Sequence, residues 1–458
     1  MFSKVLIANR GEIAVRINRA LHEMGIATVA VHSEIDADAL HVQVADEHVC
    51  IGGNAVSESY LNIERVVGAA VATGADAIHP GYGLLAENPL LVDACEAAGI
   101  TFIGPDASAL RQMGSKIEAR SLMEQAGVPI VPGVWKAVTD SDEVLAIANE
   151  IGFPIVVKAS GGGGGRGMRV ARTATEVQQA FEGAVSEGER FFGDPSVYVE
   201  KYLDDPRHIE IQIIGDKFGN IVHLFERDCS VQRRHQKLIE ESPAPILTVE
   251  ERTAIGETAI RAARAVNYHS LGTVEGLFQD GKFYFLEMNT RIQVEHGVTE
   301  MVTGIDLVKE QIRVAAGEPL SFDQDGVQVR GHAIECRINA EDAAKSFLPQ
   351  PGRITRWIEP EADGVRVDSG VSTGAEVTPY YDPLLAKLIA WAPTRAEATA
   401  RMLQALEGME IEGVTTLLAF HQRLLSSEEW ASSETCRNLI ENKQWLRATD
   451  RAPNLARA

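Results

Sequence analysis

Two adjoining stretches of this 458-residue chain hold side chains that could do chemistry together. The first runs from Gly272 to Asn289, where Asp280-Gly281 divides two largely apolar runs that each hold one carboxylate, Glu275 and Glu287. Such a pattern reads as a β-hairpin. A two-residue loop centred on Asp280-Gly281 would set Glu275 opposite Leu286 and turn the two carboxylates to opposite faces. An odd loop, such as a type I turn with a glycine bulge, turns both to one face, and this is the expected form. Glu275, Glu287 and Asn289 then offer hard oxygen ligands suited to magnesium or manganese bridging nucleotide phosphates. The second stretch continues the alternation, with Glu287, Asn289, Arg291, Gln293 and Glu295 all on one parity. Fully extended, those steps would span about 26 Å, too long for one ion. The segment should therefore bend, with metal at Glu287 and Asn289 and a second, anionic substrate at Arg291, Gln293 and Glu295. Alone, such a row reads as a solvated strand face; its place after an acidic hairpin favours the site.

A third signal is Lys158-Ala159-Ser160 followed by Gly161 to Gly165 and Arg166-Gly167-Met168. Gly162, Gly164 and Gly167 satisfy GxGxxG, but Met168 to Ala171 resumes a strand where the dinucleotide fingerprint needs a helix. No Gly-Lys-Ser/Thr ending is present, so a Walker A loop is excluded. What remains is a glycine-rich hairpin whose backbone N–H groups can close over phosphates, with Lys158 in the strand before it. The plainer alternative is a flexible hairpin.

The net charge of −22 repels phosphate backbones and anionic headgroups, which argues against nucleic acid or membrane partners and requires a local reversal of field for anionic substrates. The basic run Gln232 to Lys237, with Lys116, Lys158, Arg291 and Arg337, supplies one. Apolar residues at 45% and charged residues at 24% are those of an ordinary globular protein. Five scattered cysteines without CxxC spacing make a disulfide framework or zinc site unexpected. The N-terminal MFSKVLIANRGE lacks a secretory apolar core, so a cytoplasmic location is expected.

Positioning these residues requires three regions. Lys4 to Asn9 reads as a buried strand, Arg10 to Glu12 as a turn, Ile13, Ile17, Leu21 and Met24 as a helix face, and Thr28 to His32 as a second strand. With Ala77-Ile78 and Thr101 to Ile103, this makes an α/β parallel-sheet domain. From Ser115 to about residue 315, Ile155 to Lys158, Met168 to Ala171, Glu210 to Gly215 and Thr273 to Met288 read as antiparallel strands of an α+β domain. A third region begins with His332 to Ile338 and includes a helix over Arg395 to Met409.

Six motifs in order resemble the biotin carboxylases: Ile7 to Ala14, His79 to Gly83, the glycine loop, Glu226 to Ser230 with Gln232 to Lys237, Glu287 to Glu295, and Glu335 to Glu341. The resemblance implies a pre-ATP-grasp domain (1–114), an ATP-grasp domain (115–315, lid about 131–203) and a C-terminal biotin carboxylase domain (330–445). By the same resemblance Lys116, Lys158, Gly164, Gly165, Glu200, Lys201, Tyr202, Leu203, His208, Gln232 and His235 bind ATP. Glu275, Glu287 and Asn289 hold the metal; Lys237, Arg291, Gln293 and Val294 bind bicarbonate; Glu295 is its base. Arg337, with Arg291 and Tyr82, holds biotin. The implied reaction passes through carboxyphosphate, and a permanent arginine cation stabilises the enolate-like ureido oxygen of biotin.

No Ala-Met-Lys-Met biotin attachment sequence occurs, so biotin is expected on a separate biotin carboxyl carrier protein, with a carboxyltransferase subunit completing an acyl-CoA carboxylase; the resemblance further implies a homodimer of this chain. A pyruvate carboxylase subunit is the runner-up; an ATP-grasp carboxylate–amine ligase or a regulatory subunit is less favoured. Two residues depart from the family pattern. Gly297 stands where Pro is usual and should loosen the chain after Glu295; Gly276 stands where a large aromatic is usual and should thin packing behind the metal strand. Trp135-Lys136 is a third difference, whose effect the sequence does not reveal.

Overall fold

Buried apolar runs too short for helices alternate with amphipathic helical stretches in the first hundred residues, and they form a parallel sheet. The computed structural model describes residues 1–160 and 167–448, the side chains of residues 116, 117, 135 and 192 excepted. Strands β1 (Lys4–Ile7), β2 (Ala27–Ser33), β3 (Glu47–Gly52), β4 (Ala77–His79) and β5 (Thr101–Phe102) lie parallel in the order β3-β2-β1-β4-β5. Val5, Leu6 and Ile7 of β1 are all buried, as a strand covered on both faces requires. Helix α1 (Gly11–Glu23) buries Ile13, Ile17 and Leu21 against this sheet. It starts earlier than expected: Gly11, at φ 65°, completes the turn, and Glu12 is already helical and buried.

A second, antiparallel sheet holds β6 (Gly133–Val138), β7 (Ile155–Ala159), β8 (Met168–Ala171) and β9 (Val197–Lys201) in the order β6-β9-β7-β8. Its β7–β8 hairpin pairs Lys158 with Met168, so the chain does resume a strand after the glycine loop. The expected phosphate contacts of Gly164 and Gly165 fall in residues 161–166, outside the described residues, as does the side chain of Lys116.

The site is built on the third sheet. Strands β10 (Arg207–Gly215), β11 (Ile221–Arg233), β12 (Gln236–Ser242), β13 (Ser270–Gln279), β14 (Lys282–Asn289), β15 (His332–Asn339), β16 (Val365–Ser369) and β17 (Leu384–Ala392) run in the order β14-β13-β10-β11-β12-β15-β17-β16. The expected ATP-grasp and C-terminal regions therefore share one continuous sheet. Pairing of β12 with β15, from Ile239↔Cys336 to Ser242↔Ala333, satisfies an edge that would otherwise expose backbone donors and acceptors. Helix α2 (Val249–Ala265), started by a Thr248/Glu251 capping box, covers one face of the sheet through Ile255, Ala259 and Ala263.

The β13–β14 hairpin corrects the expected turn. Asp280 and Gly281 form a two-residue loop with φ 51° and 72°, closed by Gln279↔Lys282. Both central residues are left-handed, as in a type I′ turn. The parity change comes instead from a bulge: Gly276 pairs with Phe285, whereas Glu275 pairs with Glu287, leaving Leu286 as the extra residue. The two carboxylates thus share a face, as expected, by a different device. Gly276 does not thin the packing either. A Cβ there would lie 2.2 Å from Cζ of Phe283, because that ring occupies the space above the glycine.

Candidate active site

After Asn289 the strand ends, and the alternation of polar residues does not continue as extended chain. Residues 290–295 turn into helix α3 (His296–Thr303), with Glu295 at its N-cap. Three anchors hold this bend: Thr290 N donates to Glu87 at 3.1 Å, Lys387 Nζ donates to the Val294 carbonyl at 2.7 Å, and His296 Nδ1 lies 2.8 Å from the Gln293 carbonyl. Gly297 lies in the first turn of α3, where a Cβ would meet Ile389 Cδ1 at 2.3 Å. The expectation that Gly297 loosens this chain is therefore corrected: the residue is buried in a helix and allows close approach of β17.

The bend brings the polar side chains onto the carboxylate hairpin. Glu275 Oε1 accepts from Asn289 Nδ2 at 2.6 Å, Gln293 Nε2 at 2.5 Å and Lys237 Nζ at 3.1 Å. Lys237 also donates to Glu295 at 2.6 Å and pairs with Glu210. Arg337 binds Glu240 through Nε at 2.6 Å and Glu295 through a terminal nitrogen at 2.9 Å. Arg227, fully buried, donates to Gln293 and Gln212 at 2.6 Å each and supports the row from behind. Arg291 donates to Asn289 Oδ1 at 3.0 Å and to Glu87 at 2.9 Å.

Electrostatics keeps this cluster charged. Burial alone would protonate Glu275 and Glu295. Lys237 and the His208 hydrogen bond hold Glu275 well below the usual carboxylate range, and Lys237, Arg337 and Arg227 do the same for Glu295. Burial opposes a charged His208, but hydrogen bonds to Glu210 and Glu275, each at 2.9 Å, raise it to about 10. Glu275, Glu287 and Asn289 present two carboxylates and an amide oxygen, a donor set that fits a hard divalent cation. His208, Glu210 and Glu275 form a second group with close ligand atoms, but Lys237 already supplies a cation to both carboxylates there.

One cavity of about 1070 Å³ is lined by Lys158, Glu200, Lys201, Tyr202, Leu203, His208, Gln232 and His235 and also by Lys237, Glu275, Glu287, Asn289, Arg291, Gln293, Val294, Glu295 and Arg337. Every expected site residue with a described side chain is there except Tyr82. Its hydroxyl donates to Glu12, and it faces a separate hollow of about 270 Å³ with Arg10, Tyr381 and Asp382. Glu12 in turn lies 3.3 Å from Lys387, which ties that hollow to the Val294 carbonyl. At the cavity wall the β11–β12 turn sets Arg234 and His235 at φ 49° and 66°. Left-handed backbone at two such residues is strained and persists where surroundings fix it.

Reading the sequence missed Glu210, Glu240 and Lys387. A signal was present: Glu210 and Gln212 interrupt the isoleucines of β10, and Lys387 is the one charge in the apolar run Leu384–Ala392. A buried charge in such a strand demands a partner.

Comparison with known proteins agrees with this geometry. Residues 1–110 match the biotin carboxylase N-terminal domain, 115–322 the ATP-binding domain of the carbamoyl-phosphate synthase L chain, and 335–442 the biotin carboxylase C-terminal domain. Biotin carboxylase 1 of Bacillus subtilis is 53% identical over 96% of this chain and 98% of its own. The biotin carboxylase of Haemophilus influenzae is 51% identical over 97% and 99%. The crystal structure of the biotin carboxylase domain dimer of Hydrogenobacter thermophilus 2-oxoglutarate carboxylase, with MgADP, ADP and bicarbonate, superposes with a TM-score of 0.90 at 49% identity, covering 97% of this chain and 99% of that one. The sheet that joins an acidic hairpin to an arginine-held carboxylate, and likeness over nearly the full length, give one conclusion: the chain belongs to the biotin carboxylase family of ATP-dependent ligases.

Proposed function

We propose that this chain uses ATP and bicarbonate to carboxylate biotin on a partner carrier protein, with Glu295 as the base. What supports the reading is the unbroken hydrogen-bonded path from Glu275 through Lys237 to Glu295 and Arg337 within one cavity. Lys158, the segment Glu200 to Leu203, His208, Gln232 and His235 bind the nucleotide, together with Lys116 and the glycine loop. Glu275, Glu287 and Asn289 hold magnesium or manganese, which when bound neutralises charge on the phosphates.

Lys237, Arg291, Gln293 and Val294 orient bicarbonate. Glu295 takes its proton, and the carbonate oxygen attacks the terminal phosphorus of ATP, expelling ADP and forming carboxyphosphate. Decomposition gives carbon dioxide and phosphate; the phosphate removes the ureido N–H proton, and the nitrogen forms its new bond to carbon dioxide. Arg337 and Arg291 stabilise the ureido oxygen as it gains charge. Tyr82 contributes from the neighbouring hollow, through Glu12. The working enzyme is a cytoplasmic homodimer serving a carboxyltransferase of the acyl-CoA type, divided at 1–114, 115–315 and 330–445, the last two units sharing one sheet.

ADP release is the test. Release that requires both bicarbonate and biotin is expected, and dependence on an amine instead would reject the reading in favour of a carboxylate–amine ligase. Glu295→Gln should lower bicarbonate-dependent release by about 10²–10⁴-fold, the range for loss of a general base, while nucleotide binding persists. Normal turnover in that variant would remove Glu295 as the base. Copurification of a biotinylated carrier and an acyl-CoA carboxyltransferase checks the assembly.

A further inference from the structure

We propose that Glu240 and Glu335 form a carboxyl pair holding one proton behind Arg337, and that this pair positions the Arg337 guanidinium between Glu240 and the base Glu295. The inference rests on the roles just assigned to Glu295 and Arg337.

The pairing of β12 with β15 sets Glu240 directly across from Glu335, so their side chains leave the same face of the sheet as immediate neighbours. They are 1% and 0% exposed. Like charges directly opposite destabilise a sheet, and two desolvated anions do so severely. Partners are too few for both to be ionised. Glu240 Oε1 takes Arg337 Nε at 2.6 Å, but among the described residues Glu240 Oε2 and both oxygens of Glu335 have no hydrogen-bond partner. One shared proton removes a charge and supplies a donor where none exists.

The surrounding groups give the same balance. Glu240 is faced by Arg337, Glu335 and Cys336 of β15, by Lys237 of its own strand, by Cys229 of β11 and by Glu295 at the start of α3. Glu335 is faced by Lys387 of β17, Arg337, Glu240, Cys336 and Glu295. Lys387 is also committed to Glu12, and Arg337 is divided between Glu240 and Glu295. Burial pushes Glu335 well above the ordinary carboxyl range, so it carries the proton; burial also pushes Glu240 up, to about 7. When Glu240 is ionised it competes for the guanidinium and leaves Glu295 more basic. When Glu240 is protonated, Arg337 is drawn onto Glu295, whose carboxylate is then too well stabilised to take a proton from bicarbonate. Glu240 and Glu335 are thus positioning residues: they act through Arg337.

The experiment joins kinetics to infrared spectroscopy on the full-length enzyme. Wild-type bicarbonate-dependent ADP release should rise with pH through a limb near neutrality, and a protonated-carboxyl band should disappear over the same interval. Glu240→Gln should abolish that limb and lower the plateau about tenfold, equivalent to one pKa unit of base strength. Glu335→Gln should keep the limb within about one pH unit and delete a protonated-carboxyl band that in wild type persists above it. The proposal is overturned if the limb survives in Glu240→Gln, if Glu335→Gln deletes no band, or if no carboxyl loses its proton across the wild-type limb. That last comparison needs no substitution and decides the matter even where a variant fails to fold. Absence of bicarbonate-dependent release would instead reject the proposed function, leaving the infrared titration to judge the pair alone.

Discussion

Lys387→Met isolates what one fully buried cation does for the site. Lys387 Nζ donates to the Val294 carbonyl at 2.7 Å and lies 3.3 Å from Glu12 and 3.9 Å from Asp368. Methionine fills nearly the same volume, so cavity cost is small and the loss is electrostatic. Asp368 keeps its two-nitrogen grip on Arg366, whereas among the described residues Glu12 keeps only the Tyr82 hydroxyl. Removing one partner of a buried ion pair costs about 3–5 kcal/mol, because Glu12 must then protonate or remain an uncompensated charge. The orphaned carbonyl precedes the base, and a displacement of about 1 Å at a catalytic group costs on the order of 10²-fold in rate. Urea unfolding followed by fluorescence reads the first effect, and bicarbonate-dependent ADP release the second. A double variant with Glu12→Gln should regain about 1–3 kcal/mol of the loss, since it removes the charge left behind. A stability change below about 1 kcal/mol, or a double variant no better than the sum of the singles, would refute the reasoning.

Arg337→Ala should lower biotin carboxylation by about 10²-fold or more, a larger loss than in bicarbonate-dependent ATP cleavage; equal losses in the two assays would count against its role at the ureido oxygen. Gly276→Ala should destabilise the protein by about 1–3 kcal/mol in thermal or urea melts, because its Cβ would lie 2.6 Å from the Tyr284 carbonyl as well as against the Phe283 ring; a neutral or stabilising result would show that Phe283 moves freely. Glu300, bound to Arg16 at 2.9 Å and Arg366 at 2.6 Å, is held well below its ordinary value despite burial. A depressed folded-state value contributes stability above the unfolded value and loses it as pH falls, so the deficit of Glu300→Gln should be about 3–5 kcal/mol at pH 7 and shrink below about pH 4. An equal deficit at both pH values would contradict the ion pairs as its source.

Period-two patterning located the carboxylate hairpin, because alternation along a strand is local information. It could not locate the bulge at Leu286: the Asp280-Gly281 turn and the shared face of Glu275 and Glu287 are both satisfied only if one residue is displaced several positions from the loop, and that choice is made by Phe283 packing over Gly276. The bend after Asn289 was legible from length alone, since an extended row could not serve one pocket. Its anchors were not, because Glu87 and Lys387 are 203 and 93 residues away from their partners. The same distance in sequence hid Glu240 behind Arg337. Gly297 was misread for a related reason: a glycine beside a catalytic residue reads as freedom until the helix and the facing Ile389 are known.

The register of the large sheet explains why the metal ligands and the base can belong to one reaction. Glu287, Glu275, Glu210 and Arg227 stand opposite one another across β14, β13, β10 and β11, so one transverse row alternates from ligand carboxylates to a buried cation. Adjacent strands sit about 4.8 Å apart, which fixes the separations in this row without help from any loop. Two strands further, Arg337, Lys387 and Asp368 form another row across β15, β17 and β16. Lys237 and the 290–295 bend connect the rows, and both connectors are held by partly buried hydrogen bonds. The carboxylates Glu275 and Glu287 and the cations Lys237 and Arg337 are therefore carried by hydrogen-bonded strands and Glu295 by the anchored bend, whereas Lys158 and the approach to the glycine loop belong to the separate four-stranded sheet. A base fixed by an anchored bend beside metal ligands on the sheet can be aligned before substrate arrives, and alignment of that kind is worth about 7–11 kcal/mol when two reactants are joined. Breaking the seam between β12 and β15 would misalign Arg337 against Glu295 even with every catalytic side chain intact, which is why the single sheet, and not the division into domains, governs the chemistry.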